Sequence, residues 1–194
     1  SSSTIFTGSV SATTVTLTNT TAAGNIEFDG NLTATTLSVA AQAFDVEINE
    51  DANITAATTF SNTGLLVLGT AAGDDNLTFT GGITAIAQAG AGGADADAII
   101  IGGDIATTNA LVRLGSAKAG ITLVADSTIN TNTGIGAIDL DGAIVGAGKD
   151  LTLTAGTGAI TSALAISGID VLTVASSSST IFTGSVSATT VTLT

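Results

Sequence analysis

Apolar and hydroxyl residues alternate in several segments of the chain. Val15-Thr16-Leu17-Thr18 and Leu151-Thr152-Leu153-Thr154 both show this alternation. A period of two places apolar side chains on one face of a β-strand and hydroxyl groups on the other. The best helical candidate, Ala85 to Ala98, is interrupted by Gly90, Gly92 and Gly93, each of which costs about 1 kcal/mol relative to Ala in a helix. We therefore predict an all-β fold, with a turn in that stretch.

Short strand-like segments recur at intervals of roughly 20–30 residues, within the range typical of solenoid repeats. Each begins with an aliphatic residue followed by small and hydroxyl residues, and the starting positions are Val10, Leu32, Ile54, Ile83, Ile105, Ile129, Ile160 and Val186. A second β-rich segment follows most of them, as in Ile26 to Phe28 and Phe44 to Ile48, and Gly, Asn and Asp turn residues lie between. Such repeats predict a solenoid whose coils bury their inner faces by stacking.

A much longer repeat defines the organisation of the chain. The sequence SSSTIFTGSVSATTVTLT at residues 1–18 recurs unchanged at residues 177–194. We interpret residues 1–176 as one full tandem unit and residues 177–194 as the start of the next, identical unit. The short segments give about seven coils per unit, which would extend a solenoid by about 34 Å at about 4.8 Å per coil.

Composition predicts a chain that folds. The chain is 44% hydrophobic and only 10% charged, which is too apolar for a disordered linker. Its net charge of −13 with three basic residues would repel nucleic acids and anionic lipids, so we expect neither as partners. No apolar run is long enough for a membrane-spanning helix, and no signal peptide precedes the first strand, so we expect a segment internal to a longer chain.

The segment from Asp150 to Thr161, DLTLTAGTGAIT, followed by IDVLTV at residues 169–174, resembles the repeats of bacterial haemagglutinin-like and autotransporter-like surface adhesins. The resemblance is one of pattern and composition and extends over essentially the whole chain. It implies a right-handed parallel β-solenoid, export to the cell surface, and a role as a stalk or adhesive fibre. The perfect duplication of residues 1–18 departs from the more divergent repeats of that group, so a polymeric sheath, a gliding-type adhesin or a filament is as consistent as a host-binding adhesin.

Catalytic chemistry has few candidate residues. His and Cys are absent, which removes the usual nucleophile and base pairs. Asp139 and Asp141 share one strand face and are the best candidates for an acidic cluster of the kind that cleaves polysaccharides, although a solvated outer face explains them more simply. We predict no enzyme activity, no catalytic or cofactor-binding residues and no cofactor.

Binding sites for metal, ice or glycans have weaker support in the sequence. The stretch from Gly92 to Asp97, with Gly102-Gly103-Asp104, faintly resembles glycine/aspartate Ca²⁺ turns, but it lacks their fixed spacing, so no metal residues are predicted. Acidic pairs Glu50-Asp51 and Asp74-Asp75 are interpreted as turn residues. Pairs of Thr residues such as Thr152 and Thr154 would suit an ice-binding face, except that Glu27, Glu47 and Ile100 fall near corresponding positions. The four Asn-x-Thr sequons, at Asn19, Asn31, Asn53 and Asn76, are expected by chance.

We therefore predict a structural repeat segment of a long exported surface protein, a rigid stalk or filament for adhesion or surface coating. Its expected location is extracellular, at the cell surface, and its expected partners are neighbouring repeat units in the same protein or in a homopolymer, without membrane insertion. A Ca²⁺-dependent or glycan-binding module is the alternative, and a polysaccharide-active β-helix enzyme is less favoured. The solenoid fold is common to all three hypotheses.

Overall fold

The computed structural model of the protein describes residues 3–18, 24–88 and 98–194. Within these ranges the chain forms 22 strands and no helix, and every strand pair is parallel. The strands wind into a β-solenoid of about eight turns with three faces. The prediction of an all-β parallel solenoid is therefore confirmed. None of the described segments forms a helix that could cross a membrane.

Each face is a ladder of strands from successive turns. The first face contains β1 (Thr4–Phe6), β3 (Asn25–Phe28), β5 (Asp45–Ile48), β8 (Leu66–Leu68), β11 (Ile99–Ile101), β14 (Ile121–Leu123), β17 (Ile144–Val145) and the start of β20 (Ile166–Ser176). The second face contains β2 (Val10–Leu17), β4 (Leu32–Val39), β6 (Ala52–Ile54), β9 (Asn76–Phe79), β12 (Asp104–Ala106), β15 (Ser127–Asn130), β18 (Leu151–Thr154) and the end of β20. The third face contains β7 (Thr58–Phe60), β10 (Ile83–Ala85), β13 (Val112–Leu114), β16 (Ile138–Leu140), β19 (Ala159–Ser162) and β21 (Ser179–Phe182).

The last strand, β22 (Val186–Leu193), pairs with β20 over most of its length. Because β20 turns the corner between the first and second faces, these two faces form one continuous 16-stranded sheet. The third face is a separate six-stranded sheet. The strand β22 begins on the first face beside Ile166 and ends on the second face beside Val174.

The core consists of inward-facing aliphatic side chains stacked in register. On the first face the register partners are Ile26, Val46, Leu66, Ile99, Ile121, Ile144 and Ile166. All of them are buried, whereas alternate residues on the same strands face outward, as expected from the period of two. Phe28, Phe44, Phe60 and Phe79 are fully buried in the interior. Phe60 and Phe79 meet edge to face, with ring centroids 6.0 Å apart.

Close packing between turns explains some of the glycines. Gly69 has φ +82°, a left-handed conformation that favours glycine. A Cβ atom on Gly102, in the next turn, would collide with the Thr70 carbonyl oxygen. These two positions therefore need glycine because the backbones of successive turns approach closely at this corner.

The predicted count of about seven coils per unit agrees with the structure, which forms about eight turns over the 194-residue chain. Eight turns lead from Thr4 to Val186 on the first face, whereas the repeat leads from Thr4 to Thr180, one face short of eight turns. The predicted segments do not all lie on one face, because the three faces have similar sequences. The segments beginning at Ile83 and Ile160 lie on the third face, and that at Val186 on the first, whereas Val10, Leu32, Ile54, Ile105 and Ile129 lie on the second.

The Ala- and Gly-rich stretch is only partly described. β10 ends at Ala85, and Gln88, shortly after it, is buried. The predicted turn at Gly90, Gly92 and Gly93 lies outside the described residues. This stretch belongs to the longest turn, which runs from Leu66 to its register partner Ile99 on the first face.

Candidate functional site

A cluster of carboxylate and amide side chains lies on the outer side of β3 and β5. It consists of Asn25, Glu27, Asp29, Asp45, Glu47 and Asn49, and we call it the acid–amide cluster. In the parallel register Asn25 lies beside Asp45, and Glu27 lies directly beside Glu47. The inward residues between them, such as Ile26 and Val46, are buried. The solenoid thus stacks two like charges on adjacent strands, an arrangement that is unfavourable by itself.

Amide groups compensate for part of this repulsion. The Asn25 Nδ2 group donates to Glu47 Oε1 at 2.8 Å, across the two turns. The Asn49 Nδ2 group donates to Glu27 Oε1 and to Asp29 Oδ1, both at 3.1 Å. Each amide therefore connects one turn to the other. Neutral donors take the place that a Lys or Arg side chain would occupy in an ion-paired ladder.

The pKa of both stacked glutamates lies above its ordinary value. For Glu27 the causes are desolvation, followed by the charges of Asp29 and Glu47. For Glu47 desolvation is again the main cause, and the hydrogen bond from Asn25 opposes it. The two carboxyl groups therefore take up protons at a higher pH than free glutamate does. In chemical terms the cluster is an acid-sensitive, hydrogen-bonded surface.

Sequence reasoning did not identify this cluster, although it placed Glu27 and Glu47 at corresponding positions. The register confirms that correspondence, and Ile100 lies in the same outward column of the first face. The available signal was the recurrence of a polar residue, an aliphatic residue and a glutamate at residues 25–27 and again at residues 45–47. Among the residues that the structure describes, no group of three or more His, Cys, Asp or Glu residues has a geometry that could hold a metal ion.

Asp139 and Asp141 both lie near Arg113 on the third face. Asp139 faces outward between the buried Ile138 and Leu140, and its Oδ1 accepts a hydrogen bond of 2.8 Å from Thr161 Oγ1. The Asp141 Oδ2 atom accepts a hydrogen bond of 2.8 Å from Arg113 Nε, and this contact raises the pKa of Arg113. Asp139 is the register partner of Arg113. The structure places both carboxylates in an exposed network with a cation and a hydroxyl group.

Other aspartates connect one turn to the next at the corner before the second face. The backbone N–H groups of Asn76, Thr128, Asp150 and Val171 donate to the carboxylates of Asp51, Asp104, Asp126 and Asp150, respectively, at 2.7 to 3.0 Å. Each donor lies about one turn further along the chain than its acceptor. These aspartates therefore satisfy backbone donors where strands begin, which is a structural function of the turns.

Gly103, a described residue of the hypothetical Ca²⁺ turn, packs against Asp75, one of the acidic turn residues. Asp75 is buried, and its Oδ2 accepts hydrogen bonds from Thr70 N at 2.6 Å and Thr70 Oγ1 at 3.0 Å. A Cβ atom on Gly103 would come too close to the Asp75 carbonyl oxygen, so this glycine allows the turns to pack. The part of the hypothesis that concerns residues 92–97 lies outside the described residues.

Threonines align on the second face of the last turns. Thr128, Thr152, Thr173 and Thr192 are register partners on four successive turns. A second outward column beside them contains Asn130, Thr154 and Ser176. Glu27, Glu47 and Ile100, on which the objection to an ice-binding face was based, lie on the first face. On the second face single Thr residues recur in register, but the Thr-x-Thr pair does not, because Asn130 and Ser176 are the partners of Thr154.

Comparisons with known proteins give no further guide to the function. None of the protein-family models, curated proteins or solved structures compared with the chain matches it. The functional argument therefore depends on the solenoid, its repeat and its surface chemistry.

Proposed function

We propose that this chain is a rod-forming segment of a long, repetitive, exported protein, and that it serves as a stalk or filament at the cell surface. One observation carries the proposal. The second copy of the repeated sequence, residues 177–194, continues the solenoid, because β21 and β22 pair in parallel with β19 and β20. A repeat that extends the same hydrogen-bond ladders lengthens one rod and does not add a separate domain.

The surface and core suit such a role. The continuous stack of aliphatic residues makes each turn depend on its neighbours, which gives a quasi-one-dimensional structure its stiffness. The net charge of −13 keeps long rods soluble and discourages side-by-side association. The partners in this proposal are neighbouring units of the same protein or of a homopolymer. Neither nucleic acid nor membrane insertion is part of the role.

The proposed role is not catalytic. The sequence has no His or Cys to act as a base or nucleophile. Asp139 and Asp141, the acidic pair most suited to glycan cleavage, are both held by neighbouring side chains in an exposed network. Purified protein is expected to show no turnover of acidic or neutral polysaccharides. Activity that is lost in Asp139→Asn or Asp141→Asn would contradict this part of the proposal.

Localisation on intact cells tests the export part of the proposal. An antibody raised against the purified unit should label the surface of unpermeabilised cells of the source organism, and immunogold electron microscopy should place the label along fibres. Treatment of intact cells with an external protease should remove the signal. Labelling that appears only after the cells are permeabilised would contradict an exported stalk.

A second candidate function is recognition of an ordered hydroxyl or water lattice, such as ice. The observation that favours it is the column of Thr128, Thr152, Thr173 and Thr192, whose members repeat at about 4.8 Å along the axis. Thermal hysteresis and ice-crystal shaping test it directly. Replacement of Thr152 by Val keeps the shape and removes the hydroxyl group, so activity in the wild type that this variant lowers would support the second candidate. No activity in the wild type would eliminate it.

A further inference from the structure

The two identical segments lie on different faces of the solenoid. In the first copy β1 (Thr4–Phe6) lies on the first face, where Thr4 is the register partner of Ile26. The matching residues of the second copy, Thr180 to Phe182 in β21, lie on the third face, where Thr180 is the partner of Ile160. The same sequence, TIF, thus occupies two different sheets.

The following strand has moved in the same direction. Val10, at the start of β2, lies on the second face beside Leu32. Its copy, Val186 at the start of β22, lies on the first face beside Ile166. Both strands of the repeated segment have therefore moved back by one face, which means that the segment is displaced as a whole.

The displacement follows from the lengths of the turns. Seven turns lead from Thr4 to Ile166, both on the first face. The chain then crosses the second face before it reaches Thr180 on the third. One more face, at Val186, would complete the eighth turn. The repeat unit is therefore seven turns and two faces long, one third of a turn short of a whole number.

The repeated segment tolerates this change because each face requires the same inward pattern. The first and third faces both accept the segment, since the inward Thr lies beside a buried Ile in each case, Ile26 on the first face and Ile160 on the third. In the first copy Phe6 stacks on Phe28, with ring centroids 5.0 Å apart and an interplanar angle of 11°. Phe182 is the copy of Phe6, and it is half-buried at the end of the third-face ladder.

The outer edge formed by β21 and β22 exposes apolar residues. Val191 is 47% exposed and Leu193 64%. In the first copy, the equivalent strands β1 and β2 are covered by β3 and β4 of the following turn. Leu17, the equivalent of Leu193, is only 3% exposed there. The structure thus contains an example of what covers this edge.

We infer that the edge formed by β21 and β22 is the docking surface for a further copy of the repeat, and that successive units are rotated by one face about the solenoid axis. The continuation of the second copy covers this edge with its own equivalents of β3 and β4. Phe182 then stacks on the equivalent of Phe28. This inference concerns how units join and holds for a rod of any biological role.

The rotation has a consequence for the surface. A feature confined to one face of a unit, such as the acid–amide cluster, faces a different side of the rod in each of three successive units. Every third unit restores the original direction. A long rod therefore presents the same surface chemistry in three directions, which suits contact with partners on all sides.

Disulfide trapping in the 194-residue protein tests the rotation. The native chain has no Cys, so introduced pairs report only their own proximity. Thr161 and Ile181 are outward register partners on the third face, and the double variant Thr161→Cys/Ile181→Cys should form an intramolecular disulfide under mild oxidation, because adjacent parallel strands lie about 4.8 Å apart. If the second copy lay on the same face as the first, Ile181 would instead lie beside Ser167, and Ser167→Cys/Ile181→Cys would be the pair that forms.

Asp170 lies between the cysteines of both pairs, so cleavage before this residue and mass spectrometry identify the linked peptides. The positive control is Thr128→Cys/Thr152→Cys, which joins register partners inside the repeat. A link at Thr161 and Ile181 comparable to the control, with at least a tenfold lower yield for the Ser167 pair, supports the rotation. Efficient linkage of the Ser167 pair, or linkage of neither pair while the control forms, would overturn it.

Discussion

Asn62 is the polar residue whose replacement we expect to be most informative. It is fully buried in the turn that follows β7, and its Nδ2 group donates to the carbonyl oxygens of Phe44 and Leu65, both at 3.1 Å. Its Oδ1 atom accepts a 3.2 Å hydrogen bond from Gln88 Nε2, one turn further along. Gln88 Nε2 also contacts the Phe60 carbonyl at 3.1 Å. These amides connect three successive turns inside the rod.

The variant Asn62→Ala removes three side-chain hydrogen bonds from a dry environment. The Leu65 carbonyl still accepts a 2.9 Å hydrogen bond from the Val46 N–H group, so it loses only one of its two hydrogen bonds. The Phe44 carbonyl loses its side-chain donor. The Gln88 amide loses the Asn62 Oδ1 atom but still donates to the backbone carbonyl oxygens of Phe60 and Asn62, both at 3.1 Å. At about 1 kcal/mol for each of the bonds to Phe44 and Leu65, the unfolding free energy should fall by about 2 kcal/mol.

Asn62→Asp should lower the unfolding free energy more than Asn62→Ala does at neutral pH, because a carboxylate cannot donate to the two carbonyl oxygens and adds a buried charge. Burial raises the pKa of such a carboxyl group, and protonation restores one donor. The difference between Asn62→Asp and Asn62→Ala should therefore shrink as the pH falls. Asn53→Ala is the matched control, since Asn53 is exposed on β6 and its loss should change stability by less than about 0.5 kcal/mol.

Urea unfolding followed by far-UV circular dichroism measures these values, because the chain has no Trp or Tyr for fluorescence. Hydrogen exchange should show the largest loss of protection in the turns that carry Phe44, Asn62 and Gln88. Asn62→Ala with wild-type stability and unchanged exchange would refute the reasoning that buried amides hold these turns together.

Three further predictions concern the core, the cluster and a turn. Phe60→Ala should cost about 3–5 kcal/mol in urea unfolding, because Phe60 is fully buried against Phe79, and a loss below about 1 kcal/mol would contradict that packing. The pKa of Glu47 is raised in the folded chain above its ordinary value of 4.5. At pH values just above 4.5 the folded chain therefore binds more protons than the unfolded chain, so the unfolding free energy falls as the pH rises through this range. Glu47→Gln should therefore be more stable than wild type at pH 7 and show a shallower pH dependence between pH 4 and 7, whereas an unchanged slope would count against the cluster. Gly102→Ala should lower the melting temperature, because its Cβ atom would strike the Thr70 carbonyl, and an unchanged melting temperature would mean that the turns are further apart.

The sequence was sufficient to predict the solenoid because its signal is local. Alternation in Leu151 to Thr154 specifies an outward and an inward side whatever the neighbouring turn contains, and the structure shows that pattern in β18. Four of the six Phe residues are fully buried in the interior. Local patterns of this kind do not identify which face a strand joins, which is why the predicted repeat segments include strands from all three faces.

Features that depend on register between turns could not be read from the sequence. The bonded pair Asp29 and Asn49 is separated by 20 positions along the chain, whereas the pair Arg113 and Asp141 is separated by 28, because loops of different length close successive turns. No single spacing therefore relates partners along the rod. The threonine column was missed for the same reason, since the step from Thr128 to Thr152 is longer than the step from Thr173 to Thr192.

The length of chains with one, two and three repeat units tests the central claim most directly. A unit of seven turns and two faces should add about 37 Å to the rod at about 4.8 Å per turn, at constant cross-section. Cryo-electron microscopy, with small-angle X-ray scattering in solution, measures both quantities. The continuous-solenoid account predicts straight rods that lengthen by that increment with each unit and a layer spacing of about 4.8 Å. Units joined at variable angles, or an increment that differs clearly from the predicted one, would show that the repeats are separate beads and would contradict the account.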